Sequence, residues 1–114
     1  MNLQIAKRQS GDVMIIDLAG RVTIGRENDL LCQELHDTIA SGAHKLLINL
    51  ENVKQMDSSG ISCVVRNFVS LQRVKGSLKL LRPRGHVRDV LELTHLLQSI
   101  PSYEDEAAAL ASFS

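Results

Sequence analysis

The sequence predicts a single α/β domain over residues 1–114, with a mixed, mostly parallel sheet of four to five strands and about four helices. Three observations support this fold class. The length of 114 residues is typical of one domain. Hydrophobic residues make up 44 % of the chain, which is enough to build a core. Strand-like apolar runs alternate with helical apolar stripes, and no linker, repeat or low-complexity segment divides them.

The N-terminal segment predicts a β-hairpin. Residues 3–6 alternate weakly, as expected of a short edge strand, and residues 13–18 are rich in β-branched and apolar side chains. The Ser-Gly-Asp turn at residues 10–12 connects the two. Gly20 and Gly25 then indicate a loop.

The middle of the chain predicts alternating helices and strands. Leucines and an isoleucine four residues apart indicate a helix over residues 26–41. Residues 45–50 are apolar almost throughout, as expected of a strand covered by helices on both faces. After a loop, the clearest helical stripe runs over residues 61–72, and residues 77–81 form another buried strand.

The C-terminal part predicts two more helices. A short apolar stripe indicates one helix over residues 87–94, and residues 96–100 fit either its tail or a short strand. Ser102, followed by Asp105 and an alanine-rich stretch, indicates a capped final helix that runs to Phe113.

Composition argues against several classes of function. Thirteen basic and thirteen acidic side chains cancel, so we expect neither a nucleic-acid partner nor a strong attraction to anionic membranes. Only 3 % of the residues are aromatic, which leaves little surface for base stacking. No apolar run approaches the roughly 18 residues that a membrane span needs. No signal peptide precedes the first strand, so we expect a cytoplasmic protein.

The cysteines and histidines show no spacing typical of a metal site. The four histidines are scattered, and Cys32 and Cys63 are too few for a zinc site or a disulfide framework, which favours a reducing compartment. Cys63 falls near the start of the strongest helix, where a thiol can be activated, but a small apolar role beside Val64 is the favoured interpretation. We expect no metal and no cofactor.

The most informative stretch is Met-Asp-Ser-Ser-Gly-Ile-Ser at residues 56–62, between the third strand and the strongest helix. Sites in open α/β sheets collect at the carboxyl ends of strands, where helix N-termini favour an anion. Asp and Ser are also common N-cap residues, so capping alone would explain the stretch. The functional interpretation is that one hydroxyl carries a phosphate, which would change the exposed charge while the fold stays intact.

This stretch and several others resemble the STAS domain of bacterial anti-sigma factor antagonists. The resemblance covers nearly the whole chain without a large insertion. Its segments are Leu-Ala-Gly-Arg-Val at 18–22, Leu-Ile-Asn-Leu at 47–50, Met-Asp-Ser-Ser-Gly-Ile at 56–61, Gly-Ser-Leu-Lys-Leu at 76–80, Val-Arg-Asp-Val-Leu at 87–91 and Glu-Ala-Ala-Ala-Leu at 106–110. One departure is that Thr-Ile-Gly at residues 23–25 stands where the family often has an acidic residue.

The resemblance implies a partner switch without enzymatic activity. In this family, the unphosphorylated antagonist binds an anti-sigma factor that is also a serine kinase of the histidine-kinase-like ATPase fold, and the sigma factor is released. The kinase phosphorylates the serine directly after the loop aspartate, here Ser58. The phosphorylated antagonist dissociates until a metal-dependent serine phosphatase resets it. Asp57 would shape the loop and contact the kinase, while Ser59 would cap the helix.

The partner-binding surface would combine this loop with the outward side of the following helix. On a helical wheel, Ser62 and Arg66 oppose the apolar stripe, together with Asn67 and Arg73. The same face could simply be solvated, and Ser62 is a second conceivable phosphate acceptor. The expected partner-binding residues are Asp57, Ser58, Ser59, Gly60, Ser62 and Arg66.

Three alternatives remain at this point. The chain could be a STAS-like scaffold subunit of a stress-signalling assembly, an accessory subunit of a lipid transporter, or a small-ligand or nucleotide-binding module that uses the same helix terminus. A hydroxyl directly after Asp57 favours the phosphorylation switch, because a purely structural subunit does not need it.

Overall fold

The computed structural model describes residues 3–113 and contains one five-stranded sheet in which the strands lie side by side in chain order. The strands are β1 (Leu3–Ser10), β2 (Val13–Val22), β3 (Lys45–Met56), β4 (Ser77–Leu81) and β5 (Ser102–Tyr103). The helices are α1 (Arg26–Ala40), α2 (Ser58–Arg73), α3 (Gly85–Leu93) and α4 (Glu106–Ala111), with a short 3₁₀ helix at Leu96–Gln98. Strand β1 is antiparallel to β2, and the other neighbours are parallel. The predicted mixed, mostly parallel sheet with an N-terminal hairpin is confirmed.

Helices α1, α2 and α3 share one face of the sheet because of the strand order. Parallel crossovers are right-handed, so strands that are added in one direction place their connecting helices on the same side. The main core lies there and includes Leu35 of α1, Leu71 of α2 and Val87 of α3. Helix α4 comes after the last strand and covers part of the other face through Ala109, with Phe113 beside it.

Strand β3 is covered on both faces, as its apolar run predicts. Leu46 and Ile48 lie in the main core, whereas Leu47 packs in the smaller core under α4. All three side chains have 0 % of their surface exposed.

The hairpin strands are longer than the sequence pattern predicts. Strand β1 continues through polar, exposed residues to Ser10, which pairs with Val13 across a two-residue turn. An edge strand can carry such residues because one of its faces meets solvent. Gly20 lies within β2 and not in a loop, next to an irregularity in the pairing with β3, where it adopts φ 109°.

The predicted loop after residue 50 is also wrong, because β3 continues to Met56. Beyond Asn49 this strand has left β4 and pairs with β2 through a shifted register. Leu50, Val53 and Met56 are buried at a spacing of three, which the two-residue period of a regular strand does not produce. The extension delivers the chain directly to the first turn of α2.

The C-terminal segment differs from prediction in two details. Leu96–Gln98 form a 3₁₀ helix, and the fifth strand is Ser102–Tyr103. Ser102 is therefore a strand residue, and the cap of α4 is Asp105, whose carboxylate accepts a hydrogen bond from the Ala108 amide.

A charged network on the α4 face ties β1 to β2 and to α4. The guanidinium of Arg8 donates to both carboxylate oxygens of Asp17 at 2.6 and 3.0 Å, and to Glu106 at 2.8 Å. Asn49 of β3 also donates to Asp17, at 2.8 Å. The hydrogen bonds from Arg8 are the main cause that lowers the pKa of Asp17 and of Glu106.

We expect the Arg8→Met variant to lose about 1 kcal/mol of unfolding free energy at pH 7, because several exposed charges act together in this network. Both carboxyls have a lowered pKa in the folded chain, so their contribution is present above the ordinary carboxyl pKa and is lost as pH falls through the lowered values. The difference between wild type and variant in urea unfolding should therefore shrink as the pH falls below about 4.

Lys7→Met is the matched control, since Lys7 of the same strand makes one ion pair to Glu34 that the structure shows on the helical face. A smaller loss is expected for this variant. A pH-independent difference between wild type and Arg8→Met would show that the network does not act through these carboxyls.

Candidate functional site

Asp57 joins the end of β3 to the start of α2 and is the N-cap of that helix. Its Oδ1 accepts hydrogen bonds from the backbone amides of Ser59 at 3.0 Å and Gly60 at 3.2 Å. Its Oδ2 accepts a hydrogen bond from the Ile24 amide at 2.7 Å. One carboxylate therefore binds the first turn of α2 to the β2–α1 loop. The expectation that Ser59 caps the helix is wrong, because the N-cap residue is Asp57.

The ionised form of Asp57 is the one that this arrangement favours. Partial burial raises the pKa of the carboxyl, but the hydrogen bonds from the amides of Ile24, Gly60 and Ser59 together outweigh it. The pKa therefore lies below its ordinary value, and Asp57 is a carboxylate at neutral pH.

Ser58 and Ser59 lie in the first turn of α2 but differ in exposure. Ser58 is the first helical residue and is exposed, whereas Ser59 is half-buried. No acidic residue lies in the first turn of the helix itself, where the helix dipole favours negative charge. Ser58 is therefore exposed to solvent at the positive end of the helix dipole.

Gly60 lets α2 approach the sheet closely. A Cβ atom at this position would lie 2.7 Å from Cγ1 of Val22 and 3.1 Å from Cγ of Met56. Real side chains do not tolerate the shorter distance, so a larger residue would force α2 away from β2 and β3. The position is buried and takes part in packing, so its backbone, and not a side chain, is what it can offer to a partner.

Ser62 and Arg66 lie one and two turns further along α2, and both are exposed as predicted. Arg66 Nε donates to the Ser62 carbonyl at 3.4 Å. Arg73 is also exposed, but Asn67 is half-buried and donates to the Cys63 carbonyl at 2.8 Å. The structure thus brings the six predicted site residues together at the start and outer side of one helix, while Asn67 belongs to a packed face.

Comparison with known proteins identifies the family of this chain. The sequence pattern that defines the STAS domain matches residues 4–109. This chain belongs to the STAS domain family. An anti-sigma F factor antagonist from Paenibacillus polymyxa is 24 % identical over 111 residues, which cover 96 % of this chain and 94 % of the relative.

Solved structures have the same fold. The crystal structure of an anti-sigma factor antagonist from Mycobacterium paratuberculosis superposes with a TM-score of 0.85 at 20 % identity, over 97 % of this chain and 93 % of that one. SpoIIAA in its unphosphorylated form gives a TM-score of 0.80 at 24 % identity, over 94 % and 93 % of the two chains. The phosphorylated form of SpoIIAA from Bacillus gives 0.76 at 22 %, over 97 % and 100 %.

In this STAS chain, Ile24 is a neighbour of the site that sequence reasoning did not single out. Ile24 is 78 % exposed in the middle of the β2–α1 loop, and its amide donates a hydrogen bond to Asp57. An exposed isoleucine offers apolar surface that a partner can bury. The departure from the family's acidic residue at 23–25 was the available signal, because it places an apolar side chain beside the Asp57 loop.

The cysteines of this STAS domain are paired, which corrects the sequence interpretation. Cys32 of α1 and Cys63 of α2 form a disulfide. Cys63 is fully buried, as a small apolar role requires, but the pairing was not expected. Sequence spacing did not reveal it because the two residues lie 31 positions apart on different helices.

Pro83 lies in a cluster of basic side chains, Arg82, Arg84 and Arg88, each of which has an acidic neighbour. Arg84 lies 3.2 Å from Glu104, Arg88 lies 2.9 Å from Glu92, and Arg82 lies 3.4 Å from Glu51. These pairs fit a solvated surface better than an anion-binding patch. None of the helices within residues 3–113 is long and apolar enough to cross a membrane.

We expect Asp57→Ala to lower the unfolding free energy by about 1–2 kcal/mol, because the α2 cap and the tether to Ile24 are both lost. Asp57→Asn keeps an oxygen acceptor and should lose less. The pKa of Asp57 is lowered in the folded chain, so the charge-dependent part of this contribution is present above the ordinary carboxyl pKa and is lost as pH falls through the lowered value.

Urea unfolding at pH 7 and at about pH 3 measures both effects. The Ser62→Ala variant, changed on the exposed side of the same helix, is the control and should stay within about 0.5 kcal/mol of wild type. Equal stability of Asp57→Ala and wild type would disprove the capping role.

Proposed function

We propose that this chain is an anti-sigma factor antagonist. Its unphosphorylated form binds an anti-sigma factor that is also a serine kinase of the histidine-kinase-like ATPase fold, and this binding frees the sigma factor. The membership in the STAS family and the names of its relatives support this proposal. The protein acts in the cytoplasm as a binding partner and carries out no reaction of its own.

The phosphate acceptor is Ser58, and its position carries the proposal. Among the three serines of the candidate site, Ser58 is exposed at the first position of α2. Ser59 is half-buried, and Ser62 lies a turn further into the helix. A kinase active site reaches a hydroxyl most easily at the junction of strand and helix. A metal-dependent serine phosphatase removes the phosphate from the same residue.

A phosphate at Ser58 is compatible with the fold. The group adds about two negative charges, and it adds them at the positive end of the α2 dipole. The neighbouring carboxylate of Asp57 is directed at three backbone amides, which offset part of its charge. Phosphorylation therefore changes the surface of the domain and leaves its core packing unaltered.

The same phosphate is unfavourable at the interface. In the complex, this phosphate would lie close to the phosphates of the ATP that the kinase binds. Like charges at an interface cost several kcal/mol. A loss of about 2.7 kcal/mol weakens binding roughly a hundredfold. One modification is therefore enough to release the partner.

We call Ile24, Ser58, Ser62 and Arg66 the docking surface. Ile24, which precedes Ser58 in the chain, supplies an exposed apolar anchor. Arg66, which follows Ser58, supplies a positive charge. Interfaces draw most of their affinity from a few such residues at the centre of the contact. Asp57 links the two parts of the docking surface, because its carboxylate accepts hydrogen bonds from the Ile24 amide and from the first turn of α2.

Incubation with the serine-kinase anti-sigma factors of the source organism and ATP should add one phosphate to the peptide that contains Ser58, detected by mass spectrometry. Ser59→Ala and Ser62→Ala should still be modified, and Ser58→Ala should not. Modification of Ser58→Ala at the wild-type rate would place the acceptor elsewhere.

Ser58→Asp should fold as wild type but bind the kinase at least about tenfold more weakly, whereas Ser58→Ala should bind constitutively. Isothermal titration calorimetry measures both affinities. Ser70→Asp is the matched control, because it puts the same charge on an exposed position near the end of α2. Wild-type affinity of Ser58→Asp and Ser58→Ala alike would refute the switch even though the fold is right.

Ile24→Asp should weaken kinase binding by about tenfold or more, because it replaces an apolar anchor by a charge. Leu93→Asp is the control, since Leu93 of α3 is 79 % exposed and lies outside the docking surface. Both variants should retain the thermal midpoint of wild type. If the two substitutions weakened binding equally, Ile24 would have no special part in the interface.

A further inference from the structure

The Cys32–Cys63 disulfide has no part in the proposed phosphorylation switch. It links α1 to α2 and closes a segment with a sequence separation of 31. The two Cα atoms are 5.7 Å apart, which is within the range in which two cysteines bridge without backbone movement. The packing of the two helices therefore places the two cysteines close enough to be bridged.

The two cysteines differ in access. Cys63 has 0 % of its surface exposed and belongs to the main core. Cys32 is partly exposed in a groove between α1 and α2, which is also lined by Gln33, His36 and Ser70. A small reagent can reach the sulfur of Cys32 from this groove, whereas the packed core protects Cys63.

A positive charge lies beside the accessible sulfur. Nη2 of Arg66 is 3.8 Å from Sγ of Cys32. A guanidinium at this distance stabilises a thiolate, which is the reactive form of cysteine. Cys32 thus combines partial exposure with a neighbouring positive charge, and Cys63 lies next to it in the core.

We propose that Cys32 and Cys63 form a reversible oxidation site, in which Cys32 is the reacting thiol and Cys63 is the resolving thiol. The oxidant is a hydroperoxide. The Cys32 thiolate attacks one oxygen of hydrogen peroxide and the O–O bond breaks. That oxygen stays on Cys32 as a sulfenic acid, and the other oxygen leaves as hydroxide, which takes up a proton to become water. The Cys63 thiol then attacks the Cys32 sulfur, the S–O bond breaks, and a second water leaves as the disulfide forms.

Reduction also begins at the accessible sulfur of Cys32. A low-molecular-weight thiol attacks the Cys32 sulfur from the groove and forms a mixed disulfide, while Cys63 leaves as a thiolate and takes up a proton. A second thiol molecule then attacks the reagent's sulfur in this mixed disulfide, so that Cys32 leaves as a thiolate and takes up a proton, while the two reagent molecules form a disulfide. Both half-reactions use the groove between α1 and α2, which Cys32 lines.

The test uses the full chain, reduced with dithiothreitol, freed of reagent and treated with stoichiometric hydrogen peroxide. Mass spectrometry should show a loss of about 2 Da and the disappearance of both alkylatable thiols. The thermal midpoint should rise by roughly 10 °C on oxidation, because the cross-link restricts the unfolded chain, and should fall again with dithiothreitol. Two free thiols after peroxide treatment would overturn the proposal.

Variants separate the roles of the two cysteines. In Cys63→Ala, a 1,3-diketone that traps sulfenic acids should label Cys32, while Cys32→Ala should react with peroxide at least about tenfold more slowly than wild type. Arg66→Met should slow the reaction several-fold, whereas Arg73→Met, which removes an exposed charge elsewhere on α2, should leave the rate unchanged. A wild-type rate in Cys32→Ala or in Arg66→Met would contradict the assignment of Cys32 as the reacting thiol.

Discussion

The carboxylate of Asp57 holds together the two segments on which the candidate site depends. It accepts hydrogen bonds from two amides in the first turn of α2 and from the amide of Ile24 in the β2–α1 loop. Without it, two amides at the helix start would lose their acceptor, and the Ile24 amide would lose its link to α2. The carboxylate that caps α2 therefore also holds the two segments of the candidate site together.

The sheet topology explains why this junction is available to a partner. Sequential right-handed crossovers place α1, α2 and α3 in one layer, and the extension of β3 beyond β4 carries the chain to the start of α2. Gly60 then lets the helix lie close to Val22 and Met56. The first turn of α2 is thus rigid on its inner side, and Ser58 is exposed on its outer side.

A rigid helix start with an exposed hydroxyl suits a switch that acts by charge. Because the core lies on the other side of α2, a phosphate can change the electrostatic character of the docking surface without disturbing packed side chains. The Cys32–Cys63 pair links α1 to the same helix but is chemically separate, since it responds to oxidants and not to a kinase. The two modifications differ in the residues that they need and in the reagents that report them.

Sequence periodicity predicted α1, α2, β4 and both faces of β3 because their side chains follow a regular period into a well-defined core. It failed where the backbone is irregular: burial at Leu50, Val53 and Met56 follows a bulged register that no simple period describes. The Asp-Ser-Ser-Gly stretch indicated the candidate site, but not which residue caps the helix. Ile24 and the cysteine pair depend on tertiary contacts, between loop and helix and between two helices, which spacing along the chain does not encode.

The most direct measurement compares two forms of the chain that differ only by a phosphate on Ser58, produced by genetically encoded phosphoserine. Titration of each form with the cognate serine-kinase anti-sigma factor gives the affinity, and thermal melting gives the stability. We expect an affinity ratio of about 100 or more and melting midpoints that agree within about 2 °C. Equal affinities, or a phosphorylated chain that is largely unfolded, would contradict an exchange of partners on an unchanged fold.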